Sequence, residues 1–536
     1  MHNQSVRWLK ASASALAVTA VLTSCAVGPD FKSPAAPEVG GYTKEPLETR
    51  TSSTDAPTGQ SQRLVQGRDI PQEWWALFKS PALNTLIKRS LKNNPNLQSA
   101  IATLRAAKEA VYAQQGKFFP VVQANFNPTR GDYAQIYSTF SFGTPPITTD
   151  VYTAQLQVSY VFDAWGLNRR AVEALKALAD NQRFQVEAAY LTLASNVAMA
   201  AINEASLRGQ IEATDELIKI NKKMLDILKR QLQTGYANRN DVALQEAALA
   251  QVEATLPPLR KALEQNRDLL TALTGSYAGQ EEPGQTFKLA DLSLPGELPV
   301  SLPSVLIEQR PDVRAAQEQL HSASAQIGVA IANMLPNFAI SGNPGYASTV
   351  LAGLINPANE FWLIAGNATQ TLFDAGTLLH AERGAQATYD AAAWSYRSTV
   401  VGAVQNVADS LRAVQNDADA LKAARDFERA AKISLDLAQQ QMQTGYANIL
   451  ILLTAEQTYL QAVIQVVQAR AARLSDTATL YQALGGGWWN RVEPPTEKVL
   501  NVGTGEAATF VDKHDGFLEW EVPPLFPGPA QAGAQR

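Results

Sequence analysis

The sequence predicts a mainly α-helical chain with a small β part, built from one unit used twice. Three observations carry that expectation. The phrase Gln-Thr-Gly-Tyr-Ala-Asn stands at Gln233–Asn238 and again at Gln443–Asn448, 210 residues later. Each copy interrupts a long Ala-rich stretch without proline, one between Asp163 and Pro257 and one between Pro357 and Pro494. Before each stretch lie short segments in which apolar and polar residues alternate, the period of a strand with two unlike faces.

The duplication reaches well beyond the phrase. Asn94-Pro95, Ala100, Leu104, Ala107 and Pro120 recur 216 residues later as Arg310-Pro311, Ala316, Leu320, Ala323 and Pro336, and Asn127-Pro128 returns as Asn343-Pro344. Phe162-Asp163-Ala164 is matched by Phe373-Asp374-Ala375, and Gly275 falls opposite Gly485. Anchors that keep their order over this span argue for a duplicated domain-sized unit, because solenoid repeats are far shorter.

In chain order, Arg7 and Lys10 precede an apolar stretch from about Ala11 to Leu22 and then Cys25, the only cysteine of 536 residues. That is the layout of a secretory signal over 1–24, and the stretch is too short for an ordinary transmembrane helix. A lone cysteine excludes an intrachain disulfide and a cysteine metal cluster. Residues 25–70 are rich in Pro, Ser, Thr and Gly and read as an extended tether. The first repeat is placed at 71–275, an inter-repeat linker at 276–304, the second repeat at 305–488, and a Pro-rich tail at 489–536.

Within the first repeat, Trp74, Trp75 and Phe78 lead into Leu83, Leu86, Ile87 and Leu91 at helical spacing, and a further helix is expected from about Asn96 to Phe118. Val121–Asn127 and Ala154–Tyr160 alternate, with a loop from about Pro128 to Asp150 between them. On their apolar face lie Val122, Ala124, Phe126, Leu156, Val158 and Tyr160; on the polar face, Gln123, Asn125, Gln155, Gln157 and Ser159. The second repeat offers strands near Asn337–Asn343 and Trp362–Phe373. Asp163 and Asp374 stand where helix N-caps belong, each ahead of a helix of about 70 residues, roughly 100 Å long. In the first long helix Leu217, Ile220, Met224 and Ile227 form one seam and Ile218, Leu225, Leu228 and Leu232 another. A helix packed on two sides and a broad bundle stripe both fit that pattern. The alternating strands likewise fit either membrane β-strands or a soluble sheet with one solvated face. As membrane strands, four per chain are too few to close a barrel, and must be shared between subunits.

Several marks together are more specific. Leu22-Thr23-Ser24-Cys25 resembles a bacterial lipobox. It is joined by Cys25-Ala26-Val27-Gly28-Pro29-Asp30-Phe31, Trp74-Trp75 with Phe78, Arg310-Pro311-Asp312-Val313, both Phe-Asp-Ala turns, both Gly-Tyr-Ala-Asn turns and Ala483-Leu484-Gly485-Gly486-Gly487-Trp488. In these the chain resembles the TolC-like outer-membrane efflux proteins, or outer membrane factors, in their acylated NodT- and OprM-like subgroup. The resemblance implies a homotrimer whose strands form one 12-stranded outer-membrane barrel, continued by a periplasmic α-helical barrel. It implies acylation of Cys25 and contact with outer-membrane lipids. It also implies a periplasmic adaptor gripping the tips at Gly235, Tyr236, Ala237, Asn238, Gly445, Tyr446, Ala447 and Asn448, and an inner-membrane pump of the RND type. The function implied is a passive exit duct for drug efflux, with metal efflux or type I protein secretion as alternatives. A helical scaffold or surface lipoprotein without a pore is the rival reading.

The second tip departs from many relatives. Ile451 and Thr454 stand where acidic residues usually narrow the pore, whereas Asp241, beside Arg239, keeps the acid of the first tip. These four residues are the candidate gate, with an apolar constriction expected at the second tip. No other chemistry is legible. The net charge of −5 does not favour nucleic acid, and His2, His321, His380 and His514 have no metal-ligand spacing. Neither a phosphate loop nor an acid/base constellation is present, so no enzyme, cofactor or metal is expected.

Overall fold

The computed structural model describes residues 26–36, 40–133, 147–278, 286–444, 446 and 449–491. The duplication is plain in it. After a 3₁₀ turn at Trp74–Phe78, the first repeat runs through α1 (Pro81–Asn93), α2 (Pro95–Gln115), β2 (Val121–Tyr133), β3 (Ile147–Phe162), α3 (Leu167–Gln233) and α4 (Arg239–Leu273). The second runs through α5 (Pro303–Gln309), α6 (Pro311–Ala332), β5 (Asn337–Gly342), β6 (Gly345–Ser348), β7 (Glu360–Phe361), β8 (Ile364–Thr369), α7 (Thr377–Thr444) and α8 (Ile449–Ala483). A small parallel pair, β1 (Arg63–Gln66) with β4 (Glu297–Val300), ties the N-terminal segment to the inter-repeat segment.

Local chemistry sets these boundaries. Ser80 and Asn94 cap α1 and α2 by accepting backbone N–H groups, each followed by a proline at the first helical position. Asp163 and Asp374 do cap the long helices, but from upstream of a tight turn. Asp163 accepts from Asn168 N (2.8 Å) and Arg169 N (3.0 Å), and Asp374 from Gly376 N (2.9 Å) and Leu378 N (2.8 Å). The helices α3 and α7 span 67 and 68 residues, and α4 and α8 span 35 each. Pro257 and Pro258 lie inside α4 without ending it. Of the two predicted seams in α3, Leu217, Ile218, Leu225 and Leu228 are buried, while Ile227 is left exposed.

The main apolar core gathers where the middle stretches of α3 and α7 and the last turns of α8 meet the N-terminal segment. Trp74 lies stacked on Tyr481 (centroids 5.5 Å apart), and Trp75, Phe78, Leu83, Ile202, Leu298, Leu411 and Leu474 surround them. By length and apolar composition α8 could cross a membrane, yet it packs along α7 and α3 as part of the bundle.

Several expectations need correction. The first hairpin is longer than expected: β2 and β3 pair in continuous register from Val121↔Ser159 to Tyr133↔Ile147, so strand replaces much of the expected loop. The second hairpin is interrupted instead. Pro344 has no N–H to give, and the ladder passes the break through Asn343 and Leu363, which exchange backbone bonds of 2.8 and 3.3 Å. Strand ends at Thr369, short of the expected Phe373.

The expected tether is, over the described residues 27–36 and 40–70, a strap bonded to the helical body. Val27 N donates to Trp165 O (3.0 Å), the buried Arg170 side chain binds Val27 O, Gly28 O and Asp30, and Phe31 stacks on His321 at 4.4 Å. Gly28 is required there: its φ is +94°, and a Cβ would lie 2.4 Å from Gly328 Cα. Further along, the buried Arg473 of α8 donates to Thr58 O, Gln60 O and Thr51 Oγ1. The tail also begins later than 489, since Trp489 Nε1 and Asn490 Nδ2 both bind the Asp69 carboxylate.

Candidate functional site

Two regions are candidate sites: the sheet at one end of the helices and the turns at the other. In the sheet, β2 pairs with β3, β3 pairs with β5 and β6, and these pair with β8 and β7. Residues directly opposite in an antiparallel pair share a face, so the register tests the two-face reading. Val122 pairs with Val158, which pairs with Gly342, which pairs with Ile364; Phe126 pairs with Ala154, which pairs with Tyr346. On the opposite face Gln123 meets Gln157, Asn125 meets Gln155 and Ser159 meets Ser341. Every residue assigned to a face from sequence keeps it.

The apolar face is left open to the surroundings. Val122, Phe126, Leu156, Phe162, Phe338, Ile340 and Ile364 are exposed. Aromatic residues lie near both ends of this face: Tyr160, Phe162 and Phe338 toward the helices, and Phe126, Tyr152 and Tyr346 away from them. From Phe162 to Ala154 is eight residues of strand, about 26 Å, close to the apolar band of a membrane β-strand with its aromatic girdles. The outer edges of β2 and of β7–β8 have no partner strand among the described residues.

At the other end, the first repeated phrase closes α3 with a Schellman turn. Tyr236 N donates to Gln231 O (2.8 Å), Gly235 N donates to Leu232 O (3.2 Å), and Gly235 takes φ +79°. Asn238 then opens α4 with a capping box: its side chain accepts from Asp241 N (2.9 Å), and Asp241 accepts from Asn238 N (3.1 Å). In the second copy Tyr446 N donates to Gln441 O (2.9 Å), the same bond one repeat later. Gly445, Ala447 and Asn448 lie outside the described residues, as does Cys25.

Backbone geometry thus accounts for the glycine and asparagine of the first phrase, and not for its tyrosine. Tyr236 and Tyr446 are 87% and 88% exposed, the rings standing off both tips. Ala237 is half-buried against the cluster that joins the two hairpins. Of the candidate gate residues, Arg239 is exposed and Asp241 is occupied in the capping box. Ile451 and Thr454 are both exposed, one helical turn apart on α8. Ile451 stands at the position where Asp241 completes its cap, so the second tip cannot form the same box.

Sequence reasoning missed the groups that hold the strap, Arg170 and Arg473, which are separated from their partners by about 140 and over 400 residues. It also missed Glu456, an acid buried between the hairpins. Nothing in their local patterns announces either role.

Residues 86–276 and 302–486 match the family described as Outer membrane efflux protein. The chain is similar to the probable efflux pump outer membrane protein TtgC of Pseudomonas putida, at 27% identity over 89% of this chain and 96% of that one. It is similar to the pyoverdine export outer membrane protein OpmQ of Pseudomonas aeruginosa, at 28% identity over 84% and 94% of the two chains. Among solved structures it is similar to the outer-membrane channel OprN (TM-score 0.77, 25% identity, 87% and 100% covered) and to the open state of the Neisseria gonorrhoeae MtrE channel (TM-score 0.74, 26% identity, 88% and 100% covered). The sheet with a lipid-type face and the long helices beneath it are those of an outer-membrane efflux channel extended into the periplasm, and the chain belongs to the outer membrane efflux protein family.

Proposed function

We propose that this chain works as a homotrimeric exit duct, passively conducting small organic compounds delivered by an inner-membrane pump of the RND type through a periplasmic adaptor. The carrying observation is the sheet, whose two outer edges have no partner strand among the described residues. Each chain supplies strands for four positions around a barrel, and edges left open in lipid would strand backbone N–H and C=O groups without partners. Two copies would give eight strands, an interior about wide enough only for side chains; three copies give twelve and leave a lumen lined by the Gln, Asn and Ser face.

The tips supply the adaptor contact, centred on Tyr236 and Tyr446 with Gly235, Ala237, Asn238, Gly445, Ala447 and Asn448 around them. Exposed tyrosines displayed twice per chain suit a docking surface, since their rings offer large contact area with a polar end. With Asp241 engaged in its cap, the resting aperture is narrowed chiefly by Ile451, beside Thr454 and Arg239. Cys25 carries the lipid, two residues before Val27, where the strap begins at the base of the barrel. The cargo class follows the relatives, whose names speak of antibiotic, toluene, solvent and pyoverdine export.

Native mass measurement of the detergent-solubilised protein tests the assembly. A heat-sensitive trimer with acylated N-termini is expected; a monomer would overturn the shared-barrel reading.

A further inference from the structure

Glu456 lies on α8 two turns beyond the second tip, 2% exposed, and among the described residues its carboxylate oxygens have no close hydrogen-bond partner, only a weak approach from the Asn221 side chain. It occupies a seam between two apolar clusters that join the hairpins. On the tip side, Leu225, Leu228 and Val242 of the first hairpin meet Leu435, Leu452 and Ala455 of the second. On the other side, Leu217, Ile218 and Val252 meet Leu460.

The polar groups sharing this layer are short of donors. Gln245 Nε2 donates to Asn221 Oδ1 (2.9 Å), Asn221 Nδ2 donates to Leu217 O (3.1 Å), and Gln245 Oε1 is buried with nothing to accept from. An ionised carboxylate adds only acceptors to such a layer, whereas a carboxylic acid brings one O–H. Burying an unpaired charge there is costly, and protonation avoids it. Burial pushes the Glu456 carboxyl up from 4.5 to about 7, with Asn221 pulling more weakly the other way. The lysines of the neighbouring helices nearest this layer are held in surface ion pairs. Lys222 is joined to Glu253 and Lys229 to Glu246 across α3 and α4, while Lys432 of α7 is joined to Asp436 and lies over the Tyr459 ring of α8.

We propose that Glu456 is a proton latch on the tip: neutral while α8 is packed on α3 and α4, ionised when the hairpins part, so that opening releases one proton per chain to solvent. This rests on reading the tips as the mouth of the duct. The sign follows from linkage. Closure is favoured most below the pKa of the exposed acid, weakens as pH rises toward the pKa of the buried one, and gains no further penalty above it. For a shift from 4.5 to about 7, opening rises about twentyfold between about pH 5.5 and about pH 7.5.

Hydrogen exchange of the full-length trimer over Ile449–Leu460 tests this, with wild type and Glu456→Gln compared at each pH so that the intrinsic chemistry of exchange cancels. Asp417, which burial and Asp476 push up to about 7, is the same in both proteins and cancels as well. The excess opening of wild type over Glu456→Gln is expected to grow about twentyfold across that range, and Glu456→Leu is expected to be as insensitive to pH as Glu456→Gln. A ratio that stays flat, or a Glu456→Leu protein that keeps the wild-type pH dependence, overturns the latch. Because exchange does not require conduction, a growing ratio in a protein that passes no ions would leave the latch standing and remove the duct.

Discussion

Leu452→Ala probes how the closed tip is held. Leu452 is fully buried in the cluster that joins Leu225, Leu228 and Val242 to the second hairpin. Removing a leucine side chain from such a site costs about 3 kcal/mol. Its cluster contains residues of both hairpins, so part of that loss falls on contacts within the second hairpin, which survive when the two hairpins separate. Assigning half to the interface leaves about 1.5 kcal/mol, or roughly tenfold in the opening equilibrium. Hydrogen exchange over Ile449–Leu460 should therefore quicken about tenfold, with the sheet and the core around Trp74 unchanged. Leu474→Ala is the control, because Leu474 is equally buried but belongs to that distant core. If Leu452→Ala leaves tip exchange as it was, or Leu474→Ala raises it equally, apolar packing between the hairpins is not what keeps the tip closed.

Two further outcomes follow from the strap and the tips. Gly28→Val should expel the start of the strap, since the new Cβ meets Gly328 Cα at 2.4 Å and the φ of +94° disfavours any side chain; at a cost of about 2–3 kcal/mol, tryptic cleavage after the exposed Lys32 should speed by roughly 30- to 150-fold while the helical body resists. Replacing both Tyr236 and Tyr446 with alanine should abolish co-purification of the adaptor without lowering trimer yield, because both rings are exposed and contribute nothing to the turns that carry them.

The parts of this molecule that were legible in its sequence are those fixed by local rules. Period-two alternation placed Val122, Phe126 and Leu156 on one face and Gln123, Asn125 and Gln157 on the other, and the register keeps them there. The turn at Gly235 and the capping role of Asp163 follow from short-range bonding that any chain must satisfy. What sequence concealed depends on distant partners. A Pro- and Ser-rich segment has the same composition as a free tether or as a strap, and distant partners such as Arg170 and Arg473 decide between them. The break at Pro344 was visible as a proline, but its repair through Asn343 and Leu363 was not. Glu456 looks like any surface acid of an amphipathic helix until α3 and α4 are packed over it.

The central claim is that trimers of this chain form one water-filled duct, and single-channel recording in planar bilayers addresses it directly. Purified wild-type protein should give discrete openings of small conductance, and Ile451→Asp should enlarge the conductance and favour cations by making the narrowest apolar ring polar. Trimers that insert yet pass no current, or an Ile451→Asp protein with the same small conductance and the same selectivity as wild type, would contradict the account.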